Sequence, residues 1–179
     1  MAEEAKPDLR GREPETGFNV DRVAVRLAAQ RDHQAVRQLF RAGMAEGHVP
    51  ENDTGADIDN IVEAYFSDSG QSGLWVADYQ RGVIGMVGVQ KTSDHEAEIR
   101  RLRVHAEYRR RGVGTRLLEQ ALSFCRQHSY LKVILELHIE RGPAISLFRR
   151  FGFRLNRMRE VSGRKMLDFY LDLYSEPDS

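Results

Sequence analysis

The sequence predicts an α/β fold, a mixed sheet with helices on both faces. Three observations carry this expectation. Apolar residues recur at helical spacing in some segments and in strand-like runs in others. Those segments follow the order β-α-α-β-β-β-α-β-α-β-β. The chain of 179 residues, 41% hydrophobic and 30% charged, suffices for one well-packed domain.

The elements follow in order. Val23-Ala24-Val25-Arg26-Leu27 reads as the first strand. A helix from Asp32 to Met44 places Val36, Leu39, Phe40, Gly43 and Met44 on one face. After a polar loop with Pro50, a second helix aligns Ile58, Ile61, Val62, Tyr65 and Phe66. Leu74–Asp78 and Val83–Lys91 form a hairpin across Tyr79-Gln80-Arg81-Gly82, with Trp75 facing the core. A further strand spans Glu96–Val104, and a helix runs from Gly114 to His128. Val133–Ile139 is a buried strand, Pro143 opens a short helix ended by Gly152, and Phe153–Glu160 and Met166–Leu173 close the chain around Ser162-Gly163.

Residues 1–19 carry Pro7 and Pro14 and no periodicity, so they are expected to form a mobile tail ahead of a single domain at 20–175. They also lack an apolar signal core, and no apolar run approaches the roughly 18 residues of a membrane span, which makes a cytoplasmic location the expectation. The single cysteine, Cys125, excludes an internal disulfide and lies on the apolar face of its helix as a packed thiol. No set of His, Asp or Glu has metal-ligand spacing, so no metal is expected.

The net charge is zero, yet residues 100–165 hold 17 Lys/Arg against 5 Asp/Glu. A basic segment in a neutral chain points to a seated anionic ligand. Its centre is Val104-His105-Ala106-Glu107-Tyr108-Arg109-Arg110-Arg111-Gly112-Val113-Gly114-Thr115, which leaves a strand and enters a helix. Glycines there let successive N–H groups converge, and the helix start adds unpaired donors and a positive dipole end. That combination suits a pyrophosphate. Neither the P-loop pattern nor the G-x-G-x-x-G dinucleotide fingerprint is present.

Arg109-x-x-Gly112-x-Gly114 resembles the acetyl-CoA loop of the GNAT superfamily of N-acetyltransferases. A second block, Leu135-Glu136-Leu137 followed by Ala144 to Phe153 with its terminal Gly-Phe, resembles that family's fifth strand and fourth helix. The likeness covers residues 23–173, and Arg31-Asp32-His33 with Gly43-Met44 is weakly similar to the camello-like branch. It implies a GNAT-like, mostly antiparallel sheet and acetyl-CoA as cosubstrate. The backbone of Leu102, Arg103 and Val104 would pair with the pantetheine arm. Arg109 leads the motif, and N–H groups of Arg110, Arg111, Gly112, Val113, Gly114 and Thr115 would bind the pyrophosphate. Arg110 and Arg111 would also reach toward the 3′-phosphate. The fourth and fifth strands would splay to admit the thioester.

Acetyl transfer requires a deprotonated amine, and an alkylamine has a pKa of about 10. Glu98 on the fourth strand is the candidate base, with Glu96 in reserve; the alternative makes Glu98 a strand carboxylate balanced by Arg100, Arg101 or Arg103. The family's usual proton-donating Tyr is replaced by Phe148, and its helix-four Asn by Arg141. His138 is a weak substitute acid, and Tyr130 and Tyr170 have no positional support. The acidic run Glu51, Asp53, Asp57, Asp59 and Glu63 either flanks the acceptor site or forms a solvated face. The expected partner is a small-molecule or peptide amine, with no membrane. The apolar last strand (Leu167, Phe169, Leu171, Leu173) leaves room for a homodimer edge. A non-catalytic acyl-CoA-binding module is the alternative, favoured by Phe148. A nucleic-acid binder lacks the aromatic interleaving such a patch needs.

Overall fold

The computed structural model describes residues 17–50 and 52–175. Its elements are β1 (Ala24–Leu27), α1 (His33–Ala45), α2 (Ala56–Asp59), α3 (Ile61–Phe66), β2 (Gly73–Tyr79), β3 (Gly82–Lys91), β4 (Glu96–Val104), α4 (Val113–Gln127), β5 (Lys132–His138), α5 (Gly142–Arg150), β6 (Arg154–Val161) and β7 (Arg164–Asp172). The strands form one sheet in the order β1-β2-β3-β4-β5-β7-β6. Every neighbouring pair is antiparallel except β4 and β5. No helix among the described residues is long and apolar enough to cross a membrane.

Alternation along the strands decides which helix covers which face. Trp75 and Ala77 of β2, with Val87 and Val89 of β3, pack into the cluster that holds Val113, Leu117, Leu118, Ala121 and Cys125 of α4. Trp75 meets Phe124 edge-on at 4.8 Å between ring centroids. Leu74, Val76 and Met86 point the other way, into the cluster with Val36, Leu39 and Phe40 of α1 and Ile58, Ile61 and Tyr65 of α2 and α3. The middle of the sheet is therefore buried on both sides, which explains the near-continuous apolar runs there.

Several details differ from the sequence expectation. The second helix is two short pieces, broken at Asn60 (φ −122°, ψ 54°). Across the break Ile58, Ile61 and Tyr65 stay buried while Val62 is exposed. Met44 is also exposed, in the last turn of α1 before the chain departs at Gly47 (φ +70°). The hairpin turn places Gln80 and Arg81 at φ +49° and +65°, and Ser162-Gly163 repeats that sign, as a two-residue type I′ connection requires. β7 is not an edge. It is hydrogen-bonded on both sides, to β5 and β6, and Leu167 and Phe169 are core residues, so the free edge on that side belongs to β6. Of the expected tail, residues 1–16 lie outside the described residues. Phe18 and Asn19 belong to the folded body: Phe18 meets Tyr79 edge-on and Tyr108 at a tilt, and Asn19 caps the 3-10 turn at Val20–Arg22.

One ion-pair cluster ties the α1–α3 layer to the sheet. Arg101 of β4 donates to both carboxylates of Asp53 and Asp57 and lies over the Phe40 ring at 4.8 Å. The Tyr65 hydroxyl donates to Asp57 at 2.5 Å. Gly88 makes room for that ring, since a Cβ there would fall 2.7 Å from it. Burial alone would push both carboxyls up. Hydrogen bonds from Arg101, and for Asp57 also from Tyr65, outweigh it and hold both below the ordinary range. Arg101→Met strands the buried Asp57 and half-buried Asp53 carboxylates and should lower stability by about 3–5 kcal/mol, read from the urea midpoint at neutral pH. Because the native pKa values are depressed, this contribution is complete above about pH 4 and fades as the pH falls below it. The parent should lose more of its midpoint on acidification than the variant.

Candidate active site

β4 and β5 run parallel but pair only at Glu96–Lys132, Ala97–Val133 and Glu98–Ile134. Past Glu98 the strands part. The β5-facing N–H and C=O groups of Ile99–Val104 thus have no sheet partner. On its other side β4 bulges: Met86 pairs with Arg103 and Gly88 with Arg100, so Val87 alone spans Arg101 and Leu102. Arg101 adopts φ +60° at that point. A cleft of about 110 Å³ fills the gap, walled by β4, by Leu135 and Leu137 of β5, by Phe148 of α5, and by His48–Pro50.

Glu98 sits at the fork, on the last paired rung. It lines the cleft and also a second hollow shared with Glu96, Glu136 and Tyr170. Burial raises its pKa, Arg100 opposes that, and Glu136 adds to it. Its partnership with Arg100 is loose, 3.9 Å, because the Arg100 guanidinium donates to Gln90 at 2.8 Å. Arg101 belongs to the aspartates, which also removes Asp53 and Asp57 as free anions for an acceptor. Asp59 and Glu63 are exposed, and Glu51 lies outside the described residues. Glu96, the reserve base, accepts a hydrogen bond from Thr92 at 3.0 Å.

Phe148 is buried, lines the cleft, and packs edge-on against Phe153 at 5.3 Å. The other candidate acids lie elsewhere. His138 is buried with both ring nitrogens unpartnered, and burial lowers its pKa. The Tyr130 hydroxyl donates to the Gln71 carbonyl at 2.6 Å.

The loop ahead of α4 enters the left-handed region twice. Arg110 at φ +60° and Gly112 at φ +89° lie two residues apart, and Gly112 is the N-cap of α4. Val113 anchors the helix start in the core, which fixes the direction of the first N–H groups. Arg109 departs from expectation. Its guanidinium turns back to the Val104 carbonyl at 3.0 Å and takes both Glu46 oxygens at 2.8 Å. Its side chain therefore joins the loop to the end of α1. Arg111 lies over the Phe18 ring at 5.6 Å.

Three cleft residues were not evident as such from the sequence: His48, Arg141 and the side chain of Arg103. Arg103 lies flat on α1 at Gly43, where a Cβ would fall 2.1 Å from its Cζ. It is 8% exposed, and its Nη1 has no hydrogen-bond partner. Burial, helped by the charge of Arg141, brings its pKa down to about 10. The available signal was Gly43 itself, since a glycine on the apolar face of a helix costs about 1 kcal/mol relative to Ala and so marks a close approach.

A strand fork and a half-buried carboxylate thus lie around one cleft, and a glycine-bearing loop at a helix start follows β4. The family model for the acetyltransferase (GNAT) family matches residues 33–153, and the chain belongs to that family. Among its relatives, human N-acetyltransferase 8 is 33% identical over 103 residues, which is 55% of this chain and 45% of that protein. The probable N-acetyltransferase camello of Xenopus tropicalis is 32% identical over 104 residues, 57% and 47% respectively. The matched stretch is thus under half of those relatives' length. The fold is also that of solved acetyltransferases. A GNAT-family enzyme from Staphylococcus aureus superposes with a TM-score of 0.74 at 14% identity, covering 84% of this chain and 99% of the other. A putative acetyltransferase from Salmonella typhimurium, solved with its cofactor acetyl-CoA, gives 0.74 at 17% identity, covering 88% and 99%.

A side chain at position 112 would meet Val20 at 3.4 Å and would force an L residue into the left-handed region. Gly112→Asp should therefore deform the loop and abolish acetyl-CoA binding in isothermal titration. Binding as tight as in the parent would remove the loop from the cofactor site.

Proposed function

We propose that the chain transfers an acetyl group from acetyl-CoA to a primary amine by direct attack, with Glu98 as general base. The observation that carries this reading is Glu98 at the mouth of the β4–β5 fork, half-buried and loosely paired. The unpaired backbone of Leu102, Arg103 and Val104 offers the pantetheine arm a strand-like edge. The N–H groups from Arg110 to Thr115 suit the pyrophosphate. When bound, acetyl-CoA supplies the electrophilic thioester.

In this reading Glu98 takes the ammonium proton, directly or through water. The freed nitrogen attacks the carbonyl carbon, and N–H groups of the β4 edge stabilise the oxyanion. As the intermediate collapses, the attacking nitrogen gives its second proton to water, the C–N bond is kept and the C–S bond breaks. Phe148 cannot donate a proton, so the thiolate leaves as an anion or takes its proton from water. An alkylthiol pKa of about 8.5 makes that tolerable.

Because the Glu98 pKa is raised, activity should climb as the pH rises through that raised value. Glu98→Gln should remove this limb and lower kcat by roughly 10²–10⁴, with the KM for acetyl-CoA unchanged. A pH–rate profile like the parent's would assign the base elsewhere. Phe148 favours the second reading, an acyl-CoA-binding module without turnover. Thiol release from acetyl-CoA across amines of several classes separates the two. The acetyltransferase releases thiol with one class, and the binding module with none.

A further inference from the structure

The cleft holds a second charge that the transfer step does not use. Arg103, Arg141 and His48 line it together. The nearby carboxylates are already engaged. Glu46 is taken by Arg109 at 2.8 Å and contacts His48 at 3.1 Å, and Asp53 is taken by Arg101. Arg103 is more than nine-tenths buried with Nη1 unpartnered, and no ion pair neutralises Arg141 among the described residues. The groups press on one another: Arg141 lowers the pKa of Arg103, and both lower that of His48 after burial. A buried guanidinium without a counter-charge is costly, and a planar carboxylate satisfies its fork with two parallel hydrogen bonds.

From this arrangement we infer that Arg103, with Arg141 beside it, is a specificity subsite for a carboxylate on the acceptor, so that the amine substrate is an amino acid rather than a simple amine. The inference rests on the acetyltransferase reading and narrows its substrate class. Arg103 contributes its side chain to this subsite and only its backbone to the pantetheine edge. The open end of the cleft sets how many bonds separate amine from carboxylate.

The test compares α- and ω-amino acids of increasing length with the amines that lack their carboxylate, and with aminoalkyl phosphates. The acid-bearing acceptors should win by roughly ten- to hundredfold in kcat/KM, the value of a charge-assisted hydrogen bond to a buried group. Arg103→Met should erase that preference by raising the acceptor KM, Arg103→Lys should restore part of it, and Gly43→Ala should mimic the loss by displacing the guanidinium. Equal use of both classes overturns the inference. So does preference for the phosphates, or a rise in the acetyl-CoA KM in Arg103→Met. Melting temperature serves as a readout without turnover. N-acetyl amino acids should stabilise the parent but not Arg103→Met, and neutral N-acetyl amides should stabilise neither. An acid-specific shift without turnover keeps the anion subsite and removes the acetyltransferase reading. Absence of any shift removes the subsite.

Discussion

Strand β4 runs out of strand partners on one side, and the site is arranged around that fact. Three rungs join it to β5, and then the two part. A backbone edge that faces the protein interior must still find donors and acceptors. β5 stays with β7 along its whole length, from Lys132 to His138, as it diverges from β4. The edge is therefore held open toward whatever enters the cleft. The bulge at Arg101 works on the opposite side of the same strand. It turns one side chain into the clamp of Asp53 and Asp57, which fixes the loop that forms the far wall.

The charge distribution takes on a different meaning once the ion pairs are drawn. The basic excess of residues 100–165 looks, along the chain, like a single seat for an anion. Much of it is spent inside the molecule. Arg101 answers Asp53 and Asp57, Arg109 answers Glu46, and Arg157 and Arg159 answer Asp168. All of these carboxylates lie outside the basic segment. Among the described residues Arg103 and Arg141 have no such partner, and they line the cleft where the backbone edge is also open. Local charge density along a sequence thus overstates how much positive charge stays unpaired after folding.

The element order, the loop before α4 and the place of Glu98 were legible because each is a local pattern. Period, turn residues and spacing report on neighbours in the chain. The break at Asn60 was not legible, since Ile58, Ile61 and Tyr65 keep helical spacing across it. Nor was the position of β7 between β5 and β6, because strand order is set by tertiary packing and an apolar strand reads alike at an edge or inside. Arg109 shows the same limit at a single residue. Its motif position is a sequence property, but its partner, Glu46, lies 63 residues away. Asp32, in the weakly camello-like stretch, holds the start of α1 to the sheet, accepting from Arg26 at 2.7 Å and from the Ala29 N–H at 2.7 Å.

The ring of Phe18 packs behind the loop that precedes α4. It touches Tyr79 and Tyr108 and underlies Arg111, while the carbonyl of nearby Val20 accepts from Arg116 at 2.6 Å. The segment ahead of β1 thus acts as a buttress for a loop some 90 residues further on. Any engineered version trimmed to the sheet alone, or fused to a bulky tag directly before Phe18, would weaken the backing of that loop while leaving every strand intact. Such a protein would fold and still hold its cosubstrate poorly, a defect easily mistaken for damage at the cleft.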